Sequence, residues 1–138
     1  MAINPYFVFD GEAKEAVAYY AEAFGVKDYQ VMTFGEAPQH PDHPIPQEAK
    51  GRVMHAMLQL PTAKLMFSDT FPGQEQVKKG NQITLAYVLD DEQELRRVFN
   101  FFAQEGKVMM SPQETFWSKC YGSVTDRFGI EWQVSYEG

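Results

Sequence analysis

Three histidines and one cysteine are the whole stock of imidazole and thiol in this chain. His55 lies in the run Val53–Leu60, where strict alternation puts Val53, His55, Met57 and Gln59 on one face and Met54, Ala56, Leu58 and Leu60 on the other. The second set is wholly apolar and is expected to face the packed side. His55 is thereby turned away from it, either as a neutral imidazole able to act as a general base near pH 7 or as a histidine hydrogen-bonded to a neighbouring strand. Glu131 and Gln133 alternate with Trp132 and Val134, so they share the face opposite an apolar pair. There Glu131 is a candidate base and Gln133 an orienting amide, against the plainer reading of a solvent-facing or dimer-rim glutamate. Trp117 and Tyr121 offer flat, partly polar surface for a small aromatic or polyoxygenated ligand, or else they pack in the core.

The remaining reactive residues are less promising. His40 and His43 stand at i and i+3 with Asp42 between them, in a segment (35–50) that holds four of the eight prolines. Two imidazoles without a third ordered ligand describe a solvated loop better than a metal site. A loop of this length is a candidate lid. Cys120 has no adjacent histidine or helix N-terminus to lower its pKa, so a packed, inert thiol is expected. The seven methionines, including Met54, Met57, Met66, Met109 and Met110, fall at apolar strand positions. They read as adaptable filler or as the lining of an accommodating pocket, not as a metal box.

Positioning these side chains requires strands, and the strands come in an internal repeat. Residues 4–9 form an aromatic, β-branched run, followed by Asp10-Gly11 and then Ala13, Ala16, Val17, Tyr20 and Phe24 at helical spacing. Asp10 is the expected N-cap and Gly25 the stop. Ile83–Leu89, Asp90-Asp91, the stripe Leu95, Val98, Phe99, Phe102, and Gly106 repeat that order. Three strand-like segments follow each helix: 29–34, 52–60 and 64–68 in the first half, then 107–110, 117–124 and 130–135 in the second. Pro61-Thr62 and Asp126–Gly129 supply turns. The expected architecture is α+β, two tandem βαβββ modules (1–70 and 82–138) within a single domain 1–138, joined by the polar linker 69–81.

At 138 residues the chain is one domain's length, and a domain of this size buries roughly two-thirds of its unfolded surface without staples. A lone cysteine cannot form an internal disulfide, which favours a reducing, cytoplasmic setting. Hydrophobic residues at 44% and aromatics at 14% exclude a disordered chain. A net charge of −7 matches a phosphate backbone poorly, so nucleic acid is not an expected partner. No run approaches the ~18 apolar residues of a membrane span, and residues 1–5 lack the features of a signal peptide.

Several motifs together carry a family resemblance: Asn4-Pro5-Tyr6-Phe7-Val8-Phe9-Asp10-Gly11, Val53-Met54-His55-Ala56, Phe67-Ser68-Asp69, Glu114-Thr115-Phe116-Trp117, and Asp126 through Trp132 (Asp-Arg-Phe-Gly-Ile-Glu-Trp). Over almost its whole length the chain resembles the PhnB-like branch of the vicinal oxygen chelate superfamily, which includes glyoxalase I, bleomycin-resistance proteins and extradiol dioxygenases. The resemblance implies two βαβββ modules whose mostly antiparallel strands curl into a cup with outer helices, and a homodimer. In that cup His55, Met57, Trp117, Tyr121, Glu131 and Gln133 are the expected site residues. The superfamily's enzymes hold a divalent metal with His, Gln and Glu from the first and last strands of each module. The matching positions here are Ile3, Met66 or Ser68, Thr84 or Ile83, and Gln133, where the usual last-strand glutamate would stand. Such a set suits neither zinc nor iron, so no metal or other cofactor is expected. Cys120 stands where many members carry an arginine, which removes a carboxylate or phosphate clamp.

The expected function is therefore small-molecule binding without the usual metal. The alternative is a lyase, isomerase or dioxygenase-type enzyme with an atypical divalent-metal site, and whether the protein is catalytic stays open. The family often carries a demethylubiquinone methyltransferase label. The sequence does not support it, since no glycine-rich loop follows the first strand and no alternating βα pattern builds a parallel sheet.

Overall fold

In each half of the chain a helix with one apolar stripe covers one face of a four-stranded sheet and leaves the other face uncovered by that helix. The computed structural model describes residues 1–138 and divides into two units, Met1–Lys78 and Lys79–Gly138. The first contains β1 (Tyr6–Phe9), α1 (Ala13–Phe24), β2 (Val31–Thr33), β3 (Val53–Gln59) and β4 (Lys64–Asp69). The second contains β5 (Leu85–Leu89), α2 (Glu92–Glu105), β6 (Lys107–Gln113), β7 (Tyr121–Thr125) and β8 (Glu131–Tyr136). Strand order is β1-β4-β3-β2 in one sheet and β5-β8-β7-β6 in the other. In both, the strand before the helix pairs parallel with the last strand, and the remaining pairs are antiparallel. The tandem βαβββ repeat and the α+β class expected from the sequence are what the chain adopts.

The covered face of the first sheet is built from Phe7, Phe9, Ala56, Leu58, Leu65 and Phe67, all buried together with Ala16, Val17 and Tyr20 of α1. Phe7 stacks on Tyr20 at 5.4 Å between ring centroids, and Tyr20 on Phe67 at 5.8 Å. Each such ring contributes about 1.5–3 kcal/mol by leaving water. Alternation fails at one point. The pairing of β2 with β3 slips between Met32 and Thr33, and Val53 is fully buried instead of sharing the His55 side. A bulge inserts one residue and returns the next side chain to the opposite face, which corrects the strict alternation.

The start of α1 also differs from expectation. Asp10 does not cap it. The N-cap position is Glu12, with no capping side chain, and the donors are met by Asp69 from the end of β4. Asp69 Oδ1 accepts from the backbone N–H of Gly11 at 2.8 Å and of Ala13 at 3.0 Å, while Oδ2 accepts from Val53 N–H at 2.9 Å. Asp69 is therefore a buried tie between helix and sheet, not the first residue of a polar linker. Asp10 instead pairs with Arg52 at 2.8 Å, and that guanidinium bond, helped by Thr70, holds its carboxyl below the usual carboxylate range. Gly25 closes the helix at φ 69°, the left-handed conformation that a side chain disfavours.

In the second unit Asp91 does cap α2, accepting from Glu94 N–H at 3.1 Å. Leu95, Val98, Phe99 and Phe102 form the buried stripe, and Phe102 stacks on Trp132 at 5.0 Å. Asp126 is buried as well, and its bonds to residues two, four and six positions on brace the turn into β8. It accepts from Phe128 N–H at 2.8 Å, Ile130 N–H at 3.1 Å and Trp132 Nε1 at 2.9 Å. β7 begins only at Tyr121, so Trp117 lies outside the strand expected from residue 117.

Segment 35–50 is irregular, with short 3-10 turns at Phe34–Glu36 and Gln47–Ala49. At its tip His43 N–H donates to His40 O at 3.0 Å, the two rings lie 5.2 Å apart, and His40 Nδ1 accepts from Asp42 N–H at 3.2 Å. No helix is long and apolar enough to cross a membrane.

Candidate functional site

On the face of the second sheet away from α2, the pleat brings Glu131 and Gln133 of β8 beside Tyr121 and Ser123 of β7. The partners across the strands are Glu131 with Thr125 and Gln133 with Ser123, while Trp132 and Val134 point to the buried side. With Thr84 and Met109 these residues border a depression of about 200 Å³. Gln133 Nε2 donates to Thr84 Oγ1 at 2.9 Å, which fixes the amide and leaves its Oε1 as an acceptor. Glu131 forms no ion pair. The depression thus gathers a carboxylate, an oriented amide, a phenol and two hydroxyls beside Met109. Such a set can donate to and accept from a small oxygenated molecule. Its volume lies below the roughly 300–1,000 Å³ of pockets for drug-sized ligands, so it suits a small molecule or one end of a larger one.

Tyr121, Glu131 and Gln133 are therefore brought together, as the alternation of β8 required. Thr84, Ser123 and Met109 join them. Thr84 had been read only as a metal position, Met109 as filler or as the lining of an accommodating pocket, and Ser123 carried no signal beyond alternation within β7. Trp117 touches Tyr121, with ring centroids 5.2 Å apart. It borders a different depression, however, which includes Phe116, Ser118 and Tyr136.

His55 and Met57 lie in the first unit, on the face of its sheet away from α1. His55 stands opposite Met32 and Met57 opposite Met66. The His55 ring lies 6.1 Å from that of Tyr6, is exposed, and makes no hydrogen bond. The half-buried, hydrogen-bonded histidine of the plainer reading is not what the fold provides. Cys120 is 1% exposed, and burial pushes its thiol up, as an inert packed cysteine requires.

The positions at which a divalent metal was implied do not fit one. Ile3 lies before β1 and is fully exposed, Met66 and Ser68 sit on β4, and the Gln133 amide is bonded to Thr84. Alkyl, thioether, hydroxyl and amide groups are poor donors for zinc or iron. No group of three or more His, Cys, Asp or Glu side chains converges elsewhere, and the His40–His43 turn presents only two imidazoles.

Comparison with known proteins gives concordant findings. The sequence model of the family described as 3-demethylubiquinone-9 3-methyltransferase matches residues 1–135. The chain is 32% identical to protein YjdN of Escherichia coli (strain K12) over 143 residues, covering 98% of this chain and 95% of that one. It is 33% identical to the solved protein PA1353 of Pseudomonas aeruginosa, with a TM-score of 0.84 and coverage of 99% and 98%. A putative 3-demethylubiquinone-9 3-methyltransferase, PhnB protein, from Bacillus cereus shares the fold at 24% identity and a TM-score of 0.76, covering 99% of this chain and 100% of that one.

Proposed function

Given that the chain belongs to the family described as 3-demethylubiquinone-9 3-methyltransferase, the PhnB-like branch of the vicinal oxygen chelate superfamily, we propose that it binds a small organic molecule without the superfamily's metal. The observation that carries this reading is the depression on the second sheet, where Gln133 is oriented by Thr84 beside Tyr121 and Glu131. An oxygenated ligand would take the free Gln133 Oε1 and the Tyr121 hydroxyl as partners and lay its apolar part on Met109. Trp117, in contact with Tyr121, extends the aromatic wall. The protein acts as a homodimer in a cytoplasmic setting. Support for the dimer comes from large apolar side chains left open in each unit, such as Tyr6 and Val8 in the first and Val88 and Met109 in the second.

The methyltransferase activity in the family's description draws no support from this fold. Each sheet has a single parallel pair, and β1 is followed by Asp10-Gly11-Glu12 in place of a glycine-rich loop at a parallel-sheet crevice. One observation favours a second reading, an isomerase or lyase acting beside a carbonyl. Glu131 borders the depression without an ion-pair partner, and the exposed His55 ring on the first sheet makes no hydrogen bond.

The test is a thermal-shift screen of the full chain against small diketones, aromatic acids and antibiotics, since a ligand that binds only the native state raises the midpoint. A stabilising compound is expected to lose its effect in Gln133→Ala and to be weakened in Tyr121→Phe. A shift that survives both substitutions, or no shift across the screen, overturns the reading. Exchange of the diketone's α-protons into deuterated water, lost in Glu131→Gln, would establish the second reading in its place.

A further inference from the structure

We infer that the open face of the first sheet is a binding site for a soft monovalent cation, Cu(I) or its analogue Ag(I), held by the thioethers of Met32, Met57 and Met66 and by the His55 imidazole. The inference is independent of the small-molecule reading, because every ligand lies in the first unit and none borders the depression on the second sheet.

Register brings the four donors together. Met32 is the direct cross-strand partner of His55, and Met57 is the direct partner of Met66. Directly opposed side chains start about 4.5–5.5 Å apart at Cβ. His55 and Met57 are two residues apart on β3, roughly 6.5 Å along the strand and on the same face. Two rotatable bonds, Cα–Cβ and Cβ–Cγ, let each methionine sulfur swing toward the middle of this patch, where His55 and Met57 stand between Met32 and Met66.

Packing does not account for these methionines. The buried side chains on the covered face of the same sheet are Phe, Leu, Val and Ala, with no methionine among them. The open face carries three, and Met32 is 45% exposed. The imidazole among them is exposed and makes no hydrogen bond, so a ring nitrogen is available without breaking one. The chemistry of the set is selective. Thioether sulfur is a soft donor that favours Cu(I) over Zn(II), and none of the four ligands is a carboxylate that would recruit a harder ion. The two-imidazole turn at His40 and His43 lacks this convergence, and its His40 Nδ1 already accepts a backbone bond.

The experiment is an anaerobic titration of the full chain against the Cu(I) complex of bicinchoninate, whose colour is lost as the protein withdraws the metal. One Cu(I) per chain is expected. The paired substitution Met57→Leu/Met66→Leu, which nearly conserves volume, is expected to weaken binding at least tenfold. His55→Ala should do the same, and Met109→Leu should leave the affinity unchanged. A second measurement needs no variant: in the unmodified chain, Ag(I) should shift the ε-methyl NMR signals of Met32, Met57 and Met66 and not those of Met109 and Met110. Failure to withdraw Cu(I), equal loss in Met109→Leu, or unmoved Met57 and Met66 methyls overturns the site.

Discussion

One buried aspartate joins three separate segments of the first unit. Asp69 accepts three backbone N–H bonds, from residues 58, 56 and 16 positions away, and so ties the start of α1 and the start of β3 to the end of β4. A bond to a charged acceptor contributes roughly 1.5–3 kcal/mol when its loss leaves a buried donor unpaired. Asp69→Ala is therefore expected to destabilise the protein by about 3 kcal/mol, read as a lower urea midpoint with an unchanged slope. Asp10→Ala, which removes an exposed ion pair, should move the midpoint far less. Equal effects of the two would refute the role given to Asp69. At this scale the sequence misleads for a clear reason. An acidic residue just before a helix has the local signature of a cap, whereas the side chain that meets those donors comes from more than fifty positions away. His55 shows the complementary case, since its face was legible from alternation and its lack of a partner was not.

At the scale of elements, periodicity was a good guide wherever an element buries one face only. The stripe Leu95, Val98, Phe99 and Phe102 is the buried stripe of α2, and the alternation of β8 does separate Glu131 and Gln133 from Trp132 and Val134. Two elements departed from pattern where the backbone departs from regularity. The bulge opposite Met32 and Thr33 carries Val53 into the core, and the turn held by Thr115 and Ser118 keeps Trp117 out of β7. Gly106, expected only as a stop signal, serves close approach. A Cβ built there would meet Thr125 O at 2.2 Å and Phe102 O at 2.5 Å, both backbone atoms. Gly106→Ala must push the end of α2 away from β7 and should cost on the order of 2–4 kcal/mol. Gly51→Ala, where a Cβ meets nothing within 4 Å, is the matched control and should stay near neutral in thermal unfolding. Similar losses in both would show that the contact at Gly106 is relieved cheaply.

At the scale of the whole molecule, each unit repeats one plan, a helix on one side of its sheet and a second side the helix leaves open. The open sides carry Tyr6 at 48% exposure in one unit and Val88 and Met109 at 50% and 55% in the other, the apolar surface on which the proposed dimer rests. Sedimentation equilibrium is expected to give twice the 15.8 kDa chain mass. Val88→Lys combined with Met109→Lys should lower it toward the single chain, because an apolar interface does not accept two added charges. A monomeric mass for the unmodified chain would remove the dimer from the proposed function.

The sequence by itself determined the repeat, the two helices, the order of the strands and, for β8 and most of β3, the side that faces the core. Those features follow from local periodicity, and every residue that carries them stands within a few positions of the next. Tertiary structure alone decided which side chains meet. Asp69 reaches α1, Gln133 finds Thr84, and Met66 is set opposite Met57 while Met32 is set opposite His55. Strand register fixes these encounters, and register depends on pairing between distant segments and on a one-residue bulge, which no local pattern encodes.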